Sequence, residues 1–463
     1  MNLLEAYKKR LSISESIYGR SHNGEKMDNH RKLLVAKVLQ NTNAFLTEAF
    51  DTASATQRSD MGMFKKFCLN LTTVALPNLI ANDLVIVHPM SSMSGYITYL
   101  NYSAGKTKGD IEQGDLFNNP FQLGDYKSGN YTANAVSEVV ADASAAYQPM
   151  WIPVLTGTFH TIVVNGTEVE FDPRANYTAE QLATQATKDV KINTAGVITF
   201  ANLVDGKVPA ASLTANCTVA YKYDNIVIPQ NDLPTLKAEM KSIPLIARAR
   251  RIAVYYSQIA AFQAKTDYGF DLGDSLAEQA VGQLSYEIDT EVVNLLNETA
   301  ITNTTPEEAT ALTWSRTLPI GVSKQEHYAG FTEVVERARE FIYNKTKKFA
   351  PNYMIISSSI LPILTFIPGF NAAPAGQING PYFCGTLNSL RVYVSPAMAY
   401  DTFCIGCNGS DMMSSVAVYA PYMAIVPTQL LQYADGGTSQ GWSTLYDLKV
   451  LNPMLIVAGK ITA

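Results

Sequence analysis

The stretch SLAEQAVGQLSYEIDTEVVNLLNE, residues 275–298, decides the fold class of this chain. Apolar side chains recur in it at every third or fourth position, at Ala277, Val281, Leu284, Ile288, Val292 and Leu295. That spacing is typical of a helix with one buried face. Ser275 and Glu278 match a capping box, so the helix is expected to begin there and to extend about 35 Å. It is predicted to be the spine on which the other segments pack.

Shorter helices and strands are predicted on both sides of this spine. Upstream, the patterns predict a helix over 31–50 and strands over 84–87, 95–102 and 243–256. Downstream, they predict helices over 332–348 and 359–366 and strands over 353–357, 390–394, 402–405 and 416–420. The strands at 95–102 and 243–256 are candidates to pair with each other. Helices and strands are mixed along the chain, which indicates the α+β class.

Residues 105–225 interrupt this pattern with a polar sequence that is rich in Gly and Asn. Asn165 and Gly166 lie between two β-prone runs, 160–164 and 167–171. An Asn-Gly pair in that position is the strongest short-range signal for a hairpin. The segment is therefore interpreted as an inserted β module.

The composition argues against two kinds of partner. The chain has 463 residues and a formal net charge of −6, so it lacks the basic surplus that neutralises phosphates, and direct nucleic-acid binding is disfavoured. The first thirty residues contain no apolar run, so we expect no secretory signal and folding in the cytoplasm. The longest apolar stretch, 355–368, is broken by serines and a proline and is too short to cross a bilayer.

Two short motifs resemble reactive sites, but their surroundings argue against chemistry. Residues 437–441 have the spacing of a hydrolase nucleophile elbow, yet the last histidine, His327, precedes the serine instead of following it. We predict a flexible surface loop there. Cys404 and Cys407 have redox spacing, but their β-prone flanks predict strand or turn cysteines. The five histidines are dispersed, so no catalytic, metal or cofactor site is predicted.

Basic residues concentrate at one place in the chain. Arg248, Arg250 and Arg251 lie close together, and Lys237 and Lys241 precede them. Two interpretations remain open: a solvated strand face, or salt bridges to neighbouring subunits, where guanidinium groups bind carboxylates through paired hydrogen bonds. The 25 tyrosines favour an assembly, because tyrosine contributes apolar area with a polar tip to protein interfaces.

Several segments together resemble the major capsid proteins of tailed bacteriophages, and among them the T-even myovirus type. Residues 75–84 read ALPNLIANDL and lead to a His-Pro-Met run at 88–90, similar to the family's Pro-Asn-Leu-Ile-Ala segment followed by Gln-Pro-Met. Residues 45–49, FLTEA, resemble the site where the family's maturation protease removes an N-terminal scaffolding segment. Further similar segments are 283–293, 401–409, 419–422 and 445–463.

The resemblance implies an HK97-type capsid fold of the α+β class. Its parts map onto the chain in order: a scaffold-like propeptide over 1–48, an N-terminal arm over 49–90, an extended loop over 91–256 carrying the β-rich insertion at about 110–225, a peripheral domain over 257–330 with the spine helix 275–298, an axial domain over 331–440, and a returning peripheral strand over 441–463. Cleavage is implied between Glu48 and Ala49. Arg248, Arg250 and Arg251 become candidates for contacts between subunits.

The implied function is self-assembly into an icosahedral or prolate shell that encloses the double-stranded DNA genome of a tailed phage. Neither catalysis nor sequence-specific DNA binding is implied. The implied partners are further copies of the chain in hexameric capsomers, with pentamers as a second arrangement, a scaffold, a maturation protease, a portal, and vertex and decoration proteins. No cofactor and no membrane contact is implied. The expected location is the virion, after assembly in the host bacterial cytoplasm.

Two alternatives compete with this interpretation. The first is an encapsulin-like compartment shell, which shares the fold but stores enzymes. The second is an enzyme or a carbohydrate-binding protein that uses the module at about 110–225. Self-assembly of the purified chain would separate either shell from the second alternative.

Overall fold

The computed structural model describes most of the chain outside the inserted module. The described residues are 3–21, 26–51, 69, 73, 79–108, 111–114, 131–132, 135–140, 162–164, 167–169, 190–192, 198–200, 217–222, 233–269, 272–346, 348–373, 380–428, 431–434 and 436–462. They belong to two compact units. The first unit comprises 1–97, 120–125 and 242–463, and the second comprises 98–119 and 126–241.

Helices and strands alternate along the first unit, whereas the described elements of the second are strands. The helices are α1 Leu3–Ala6, α2 Lys8–Ser21, α3 Asn29–Asp51, α4 Ala81–Leu84, α5 Gln258–Asp267, α6 Leu272–Asn303, α7 Pro306–Ala311, α8 Lys324–Ala329, α9 Phe331–Thr346 and α10 Leu361–Leu364. The first ten strands are β1 Ile86–Val87, β2 Ser94–Ala104, β3 Ala135–Val140, β4 Ile162–Val164, β5 Thr167–Val169, β6 Val190–Ile192, β7 Ile198–Phe200, β8 Cys217–Lys222, β9 Leu236–Ile246 and β10 Arg248–Ser257. The remaining strands are β11 Thr313–Ser315, β12 Tyr353–Ser357, β13 Phe370–Ala372, β14 Tyr382–Leu387, β15 Leu390–Ser395, β16 Thr402–Gly406, β17 Ala417–Pro427, β18 Leu431–Gln432, β19 Gly437–Val450 and β20 Ile456–Thr462. The predicted α+β class is confirmed.

The spine helix α6 is longer than the sequence predicted. It has 32 residues and therefore extends about 48 Å. The predicted start at Ser275 was wrong, because the helix begins at Leu272 and Ser275 lies inside it. The helix therefore continues upstream of the local capping pattern, through the half-buried Leu272 and Gly273. At the other end, Asn303 is buried and its side-chain amide donates to the Ile456 carbonyl, 2.9 Å away.

One sheet of the first unit packs against the spine. Its order is β1-β17-β19-β10, and β18 also pairs with β19. On β10, Ile252 and Val254 join a buried apolar cluster with Ala280 and Leu284 of α6. Because successive side chains of a strand point to opposite faces, the face of β10 that carries Ile252 and Val254 packs against the spine helix.

The second sheet has seven strands in the order β11-β20-β16-β12-β15-β14-β13. Its central strand β12 has the predicted bounds, and all five of its residues are buried. Helix α9 buries Phe331, Val335, Ala338 and Ile342 in the same apolar cluster as this sheet. The apolar face of α9 therefore packs against this sheet, and the two form a helix-on-sheet layer.

Three segments differ from the sequence-based prediction. The single strand expected over 243–256 is two strands, β9 and β10, separated at Ala247, whose N–H donates to the Met93 carbonyl at 2.8 Å. The strand expected over 84–87 is shorter, because Leu84 ends helix α4. The helix expected over 359–366 is a single turn, α10. At Ala247 the boundary coincides with a contact between residues far apart in the sequence, which local periodicity does not report.

The loop predicted at 437–441 was wrong, because these residues begin strand β19. Gly437 and Thr438 are buried. A Cβ atom on Gly437 would lie 2.0 Å from the Tyr255 hydroxyl oxygen, so glycine makes room for a neighbouring ring on β10. The glycines that suggested flexibility are a packing feature of a sheet.

The described part of the inserted module is built from short strands. Strands β4 and β5 pair antiparallel with Val164 opposite Thr167, which confirms the predicted pairing of the two runs. The predicted turn residues, 165–166, lie outside the described residues. The two strands extend a sheet of order β3-β8-β4-β5, and β6 pairs with β7. The strands β2 and β9, which flank the module in sequence, pair with each other. The predicted pairing of 95–102 with 243–256 is therefore confirmed only for the part of that range in β9, because β10 pairs with β19.

Candidate assembly surface

Strand β10 forms an edge of its sheet. It pairs antiparallel with β19 over its full length, from Arg248 opposite Tyr446 to Ser257 opposite Gly437. Among the described residues, no strand pairs with its other edge. A ten-residue edge presents a row of backbone donors and acceptors that can pair with another chain.

The predicted basic residues all lie on this strand, but on two different faces. Arg248 and Arg250 share the face of Ile252, which packs towards the spine helix, and Arg251 shares the opposite face with Tyr255. All three arginines are exposed. The prediction that the three arginines lie on one strand is therefore confirmed. Arg251 faces away from the spine helix, unlike Arg248 and Arg250.

Arg250 is engaged inside its own chain. Its Nη2 lies 2.6 Å from Oε2 of Glu291 on α6, and its guanidinium carbon lies 5.9 Å from the centre of the Tyr446 ring. The Tyr446 hydroxyl donates to the same Glu291 oxygen at 2.5 Å. Desolvation alone would lower the pKa of Arg250, but Tyr446 and Glu291 outweigh it and the pKa lies above its usual value. The Arg250 charge therefore stabilises the contact between β10 and the spine.

Arg248 and Arg251 have no ion-pair partner within the described ranges. Their guanidinium groups are exposed to solvent in the single chain. They are therefore better placed than Arg250 to meet carboxylates of another subunit, and that role stays a prediction.

Apolar side chains are also exposed next to this strand. Helix α5 begins directly after β10 and exposes 73% of Ile259 and 71% of Phe262, which lie one turn apart on the same helix face. Tyr255 is 60% exposed, and its ring lies 6.2 Å from that of Tyr433. Large apolar groups exposed together mark interaction sites. We call Tyr255, Ile259, Phe262 and Tyr433 the exposed apolar set.

The predicted cleavage bond between Glu48 and Ala49 lies on a different element. Its backbone belongs to the last turn of α3, which ends at Asp51, and the side chains of both residues lie outside the described ones. A protease reaches a peptide bond only when the helical hydrogen bonds around it open. Helix ends open at the lowest cost, so this bond is in the most accessible part of the helix.

A buried carboxylate on the spine was missed at the level of sequence. Asp289 is buried, and its Oδ1 accepts a hydrogen bond from the Ala81 N–H at 3.0 Å. Burial raises its pKa to about 7, against the opposing effect of the N–H groups of Ala81 and Ile80. The sequence shows an acidic residue next to the apolar positions of α6, but it could not reveal the burial of Asp289, because the hydrogen-bond partner Ala81 lies 208 positions away.

The cysteines and histidines show no reactive arrangement within the described residues. Cys404 lies in β16 and Cys407 directly after it, and both are free and buried. Desolvation raises the pKa of Cys404 to about 12 and that of Cys407 to about 11, which disfavours the thiolate needed for redox chemistry. The prediction of strand or turn cysteines is confirmed, with Cys404 in the strand and Cys407 just beyond it. In the same part of the chain, no group of three or more His, Cys, Asp or Glu side chains could hold a metal ion.

No helix among the described residues combines the length and hydropathy needed to span a bilayer.

Comparison with known proteins connects these features to a family. The family model "Major capsid protein Gp23" matches residues 61–462. The major capsid protein of Escherichia phage AR1 is 23% identical over 92% of this chain and 84% of its own length. That of Enterobacteria phage T4 is 21% identical over the same shares of the two chains.

Solved structures give a weaker likeness. One from Mycobacterium phage Adephagia covers 70% of this chain and 92% of its own, with 12% identity and a TM-score of 0.32. The holo-SrpI encapsulin complex of Synechococcus elongatus covers 50% of this chain and 79% of its own, with 11% identity and a TM-score of 0.32. Scores this low do not establish a shared fold, so the encapsulin alternative gains little from them. The match to the Gp23 model spans most of the sequence, and this chain therefore belongs to the Gp23 family of phage major capsid proteins.

Proposed function

We propose that this major capsid protein builds its shell through the free edge of β10 and the exposed apolar set, which contact other copies of the chain. The copies form hexameric capsomers, with pentamers as a second arrangement at the vertices. In a shell, one surface of a subunit meets a different surface of its neighbour, and symmetry closes the assembly. A strand edge with exposed arginines and an adjacent apolar helix face suits such a contact.

The strength of the shell comes from repetition. Permanent assemblies bury more than about 2,000 Å² per interface, so several elements of each subunit must contribute. The paired strands β2 and β9 offer a further surface, since Leu236 and Met240 are exposed on β9. Each contact is weak alone, and the closed shell is stable because every subunit makes all of them.

The shell encloses the double-stranded DNA genome without reading its sequence. The net charge of −6 supports this, because a lining without strong phosphate binding lets DNA be packed and released. The chain has a structural role and performs no catalysis. Assembly takes place in the host bacterial cytoplasm, with a scaffold, a portal, and vertex and decoration proteins as further partners.

A maturation protease removes the N-terminal segment by cutting after Glu48. One observation supports this step: the bond lies in the last turn of α3, where helical hydrogen bonds open at the lowest cost. Intact-mass measurement of subunits from mature particles should give a chain that starts at Ala49. Particles carrying Glu48→Ala that mature with a subunit of the same lower mass would contradict the assignment.

The edge of β10, with which no described strand pairs, is the observation that carries the proposal. We would examine the purified full chain by negative-stain electron microscopy and sedimentation velocity, together with Arg251→Glu and Arg248→Glu. The wild type should form capsomers, tubes or shells, and both charge reversals should weaken assembly. Lys324→Glu reverses an equally exposed charge on α8 and should assemble like the wild type. A wild-type chain that remains monomeric at high concentration would refute the proposal.

A further inference from the structure

Helix α3 packs into the core of the first unit. Leu34, Val35, Val38 and Leu39 are buried, and they share one apolar cluster with Val292, Leu296 and Tyr419. The cluster joins α3 to the spine helix and to strand β17 in a single core. The segment that precedes the proposed cut is therefore part of the folded subunit.

One polar contact at the start of α3 reaches the segment 79–90. The guanidinium of Arg31 donates through Nη2 to the Asn82 carbonyl at 3.0 Å and to the Asp83 carboxylate. The Asp83 side chain is only 3% exposed. An ion pair at a buried carboxylate is costly to break, because the remaining charge loses a partner in a medium of low polarity.

A second contact reaches the other end of the same segment. The Asn41 side-chain amide donates to the carbonyl of Met90 at 2.7 Å and to that of Tyr422 on β17 at 3.0 Å. Arg31 and Asn41 are ten positions apart in α3, so one rigid helix contacts both ends of 79–90. The helix thus fixes the position of the segment against β17.

The segment 79–90 is held by the burial of Leu79, Leu84 and Val85 in the same apolar cluster, but its backbone pairing is short. Its strand β1 has two residues and pairs with one edge of β17, and the N–H groups of His88 and Met90 donate to the Tyr419 and Pro421 carbonyls at 2.9 and 3.0 Å. Short edge pairings open easily unless other elements cover them. The Ala81 N–H also donates to Asp289 of the spine helix α6, so both α3 and α6 contact the segment.

We propose that Arg31 and Asn41 are positioning residues that brace residues 79–90 on the edge of β17, and that loss of the N-terminal segment releases this brace. The inference rests on the proposed cleavage after Glu48. Without α3, the Asp83 carboxylate loses its ion pair with Arg31 and the Met90 carbonyl loses its hydrogen bond from Asn41. The apolar side chains of the core that pack against α3 become exposed to water. Residues 79–90 then become free to adopt a second arrangement, as in switching assemblies with two packings of similar energy.

Hydrogen exchange of the full chain, followed by mass spectrometry, tests the brace. Arg31→Ala and Asn41→Ala should speed exchange of the His88 and Met90 amides by about tenfold or more, since each variant removes a contact that holds the segment. The amides of β12 report the rest of the core and should not change. Arg31→Lys keeps the charge and should give an intermediate rate, which also serves if Arg31→Ala does not fold.

Lys32→Ala is the matched control. Lys32 has an exposure similar to that of Arg31, but its ion pair, 2.9 Å long, is with Glu15 inside the N-terminal segment. It should leave exchange at His88 and Met90 unchanged. Equal acceleration by Lys32→Ala and Arg31→Ala, or no acceleration by any of the Arg31 and Asn41 variants, would overturn the inference.

A second arm separates the brace from the natural cleavage. A recognition sequence for an unrelated protease, inserted after residue 51, lets the N-terminal segment be cut and removed from purified subunits at will. Exchange at His88 and Met90 should then rise at least as much as in Arg31→Ala. Unchanged exchange after removal refutes the brace, whereas an uncut chain in natural particles refutes only the proposed cleavage.

Discussion

The double variant Ile259→Ser, Phe262→Ser should weaken assembly about a hundredfold without unfolding the subunit. The two side chains are 73% and 71% exposed, so the folded chain loses little when they are replaced. Full burial of such side chains is worth about 1.5–3 kcal/mol each, and burying the exposed fraction in an interface therefore contributes roughly 3 kcal/mol for the pair. That difference corresponds to roughly a hundredfold weaker association at each contact.

Sedimentation velocity over a range of protein concentrations measures this effect. The concentration at which half of the chains assemble should rise by about two orders of magnitude, while urea unfolding changes by no more than about 0.5 kcal/mol. Tyr343→Ser removes another exposed ring from α9, outside the exposed apolar set, and serves as the matched control. Wild-type assembly in the double variant would refute the role of α5, and a large loss of stability would show that its exposed face packs inside the subunit.

Three further predictions concern stability. Phe331→Ala should lower the free energy of unfolding in urea by about 3–5 kcal/mol, because its ring is fully buried between α9 and the second sheet. Lys345→Ala should cost about 1–3 kcal/mol by the same measurement, since Lys345 Nζ binds Glu308 at 2.7 Å and the Asn303 carbonyl at 3.1 Å in a partly buried site. Burial raises the pKa of Asp289 from 3.8 to about 7, so the folded chain binds more protons than the unfolded chain between these values, and stability falls as the pH rises through that range. In urea titrations from pH 4 to pH 8, Asp289→Asn should lack this fall, and an unchanged pH profile would contradict the assignment.

Periodicity in the sequence was enough to place the main elements. The apolar stripe of 275–298 predicted the spine helix, and the Asn165-Gly166 pair predicted a hairpin, because both signals arise from residues a few positions apart. The ends of the spine could not be read in this way. Its last residue, Asn303, is fixed by the Ile456 carbonyl, 153 positions away.

The assembly surface was predicted only in part, for the same reason. The strand predicted over 243–256 contained all three arginines, and they lie on β10. The sequence could not indicate that Glu291 of the spine would pair with Arg250 and leave Arg248 and Arg251 exposed. Likewise, Arg31 gave no sign of its contact with Asp83, because helix packing brings together residues 52 positions apart.

The burial of the thiols has a consequence for the particle outside the cell. Cys384, Cys404 and Cys407 are all free, and desolvation holds the pKa of each well above its usual value. Oxidants and alkylating agents attack the thiolate, so these three side chains stay inert at neutral pH. In the virion, we therefore expect these three sulfur atoms to stay unaltered in aerated water, so that the lifetime of the particle there does not depend on their redox state.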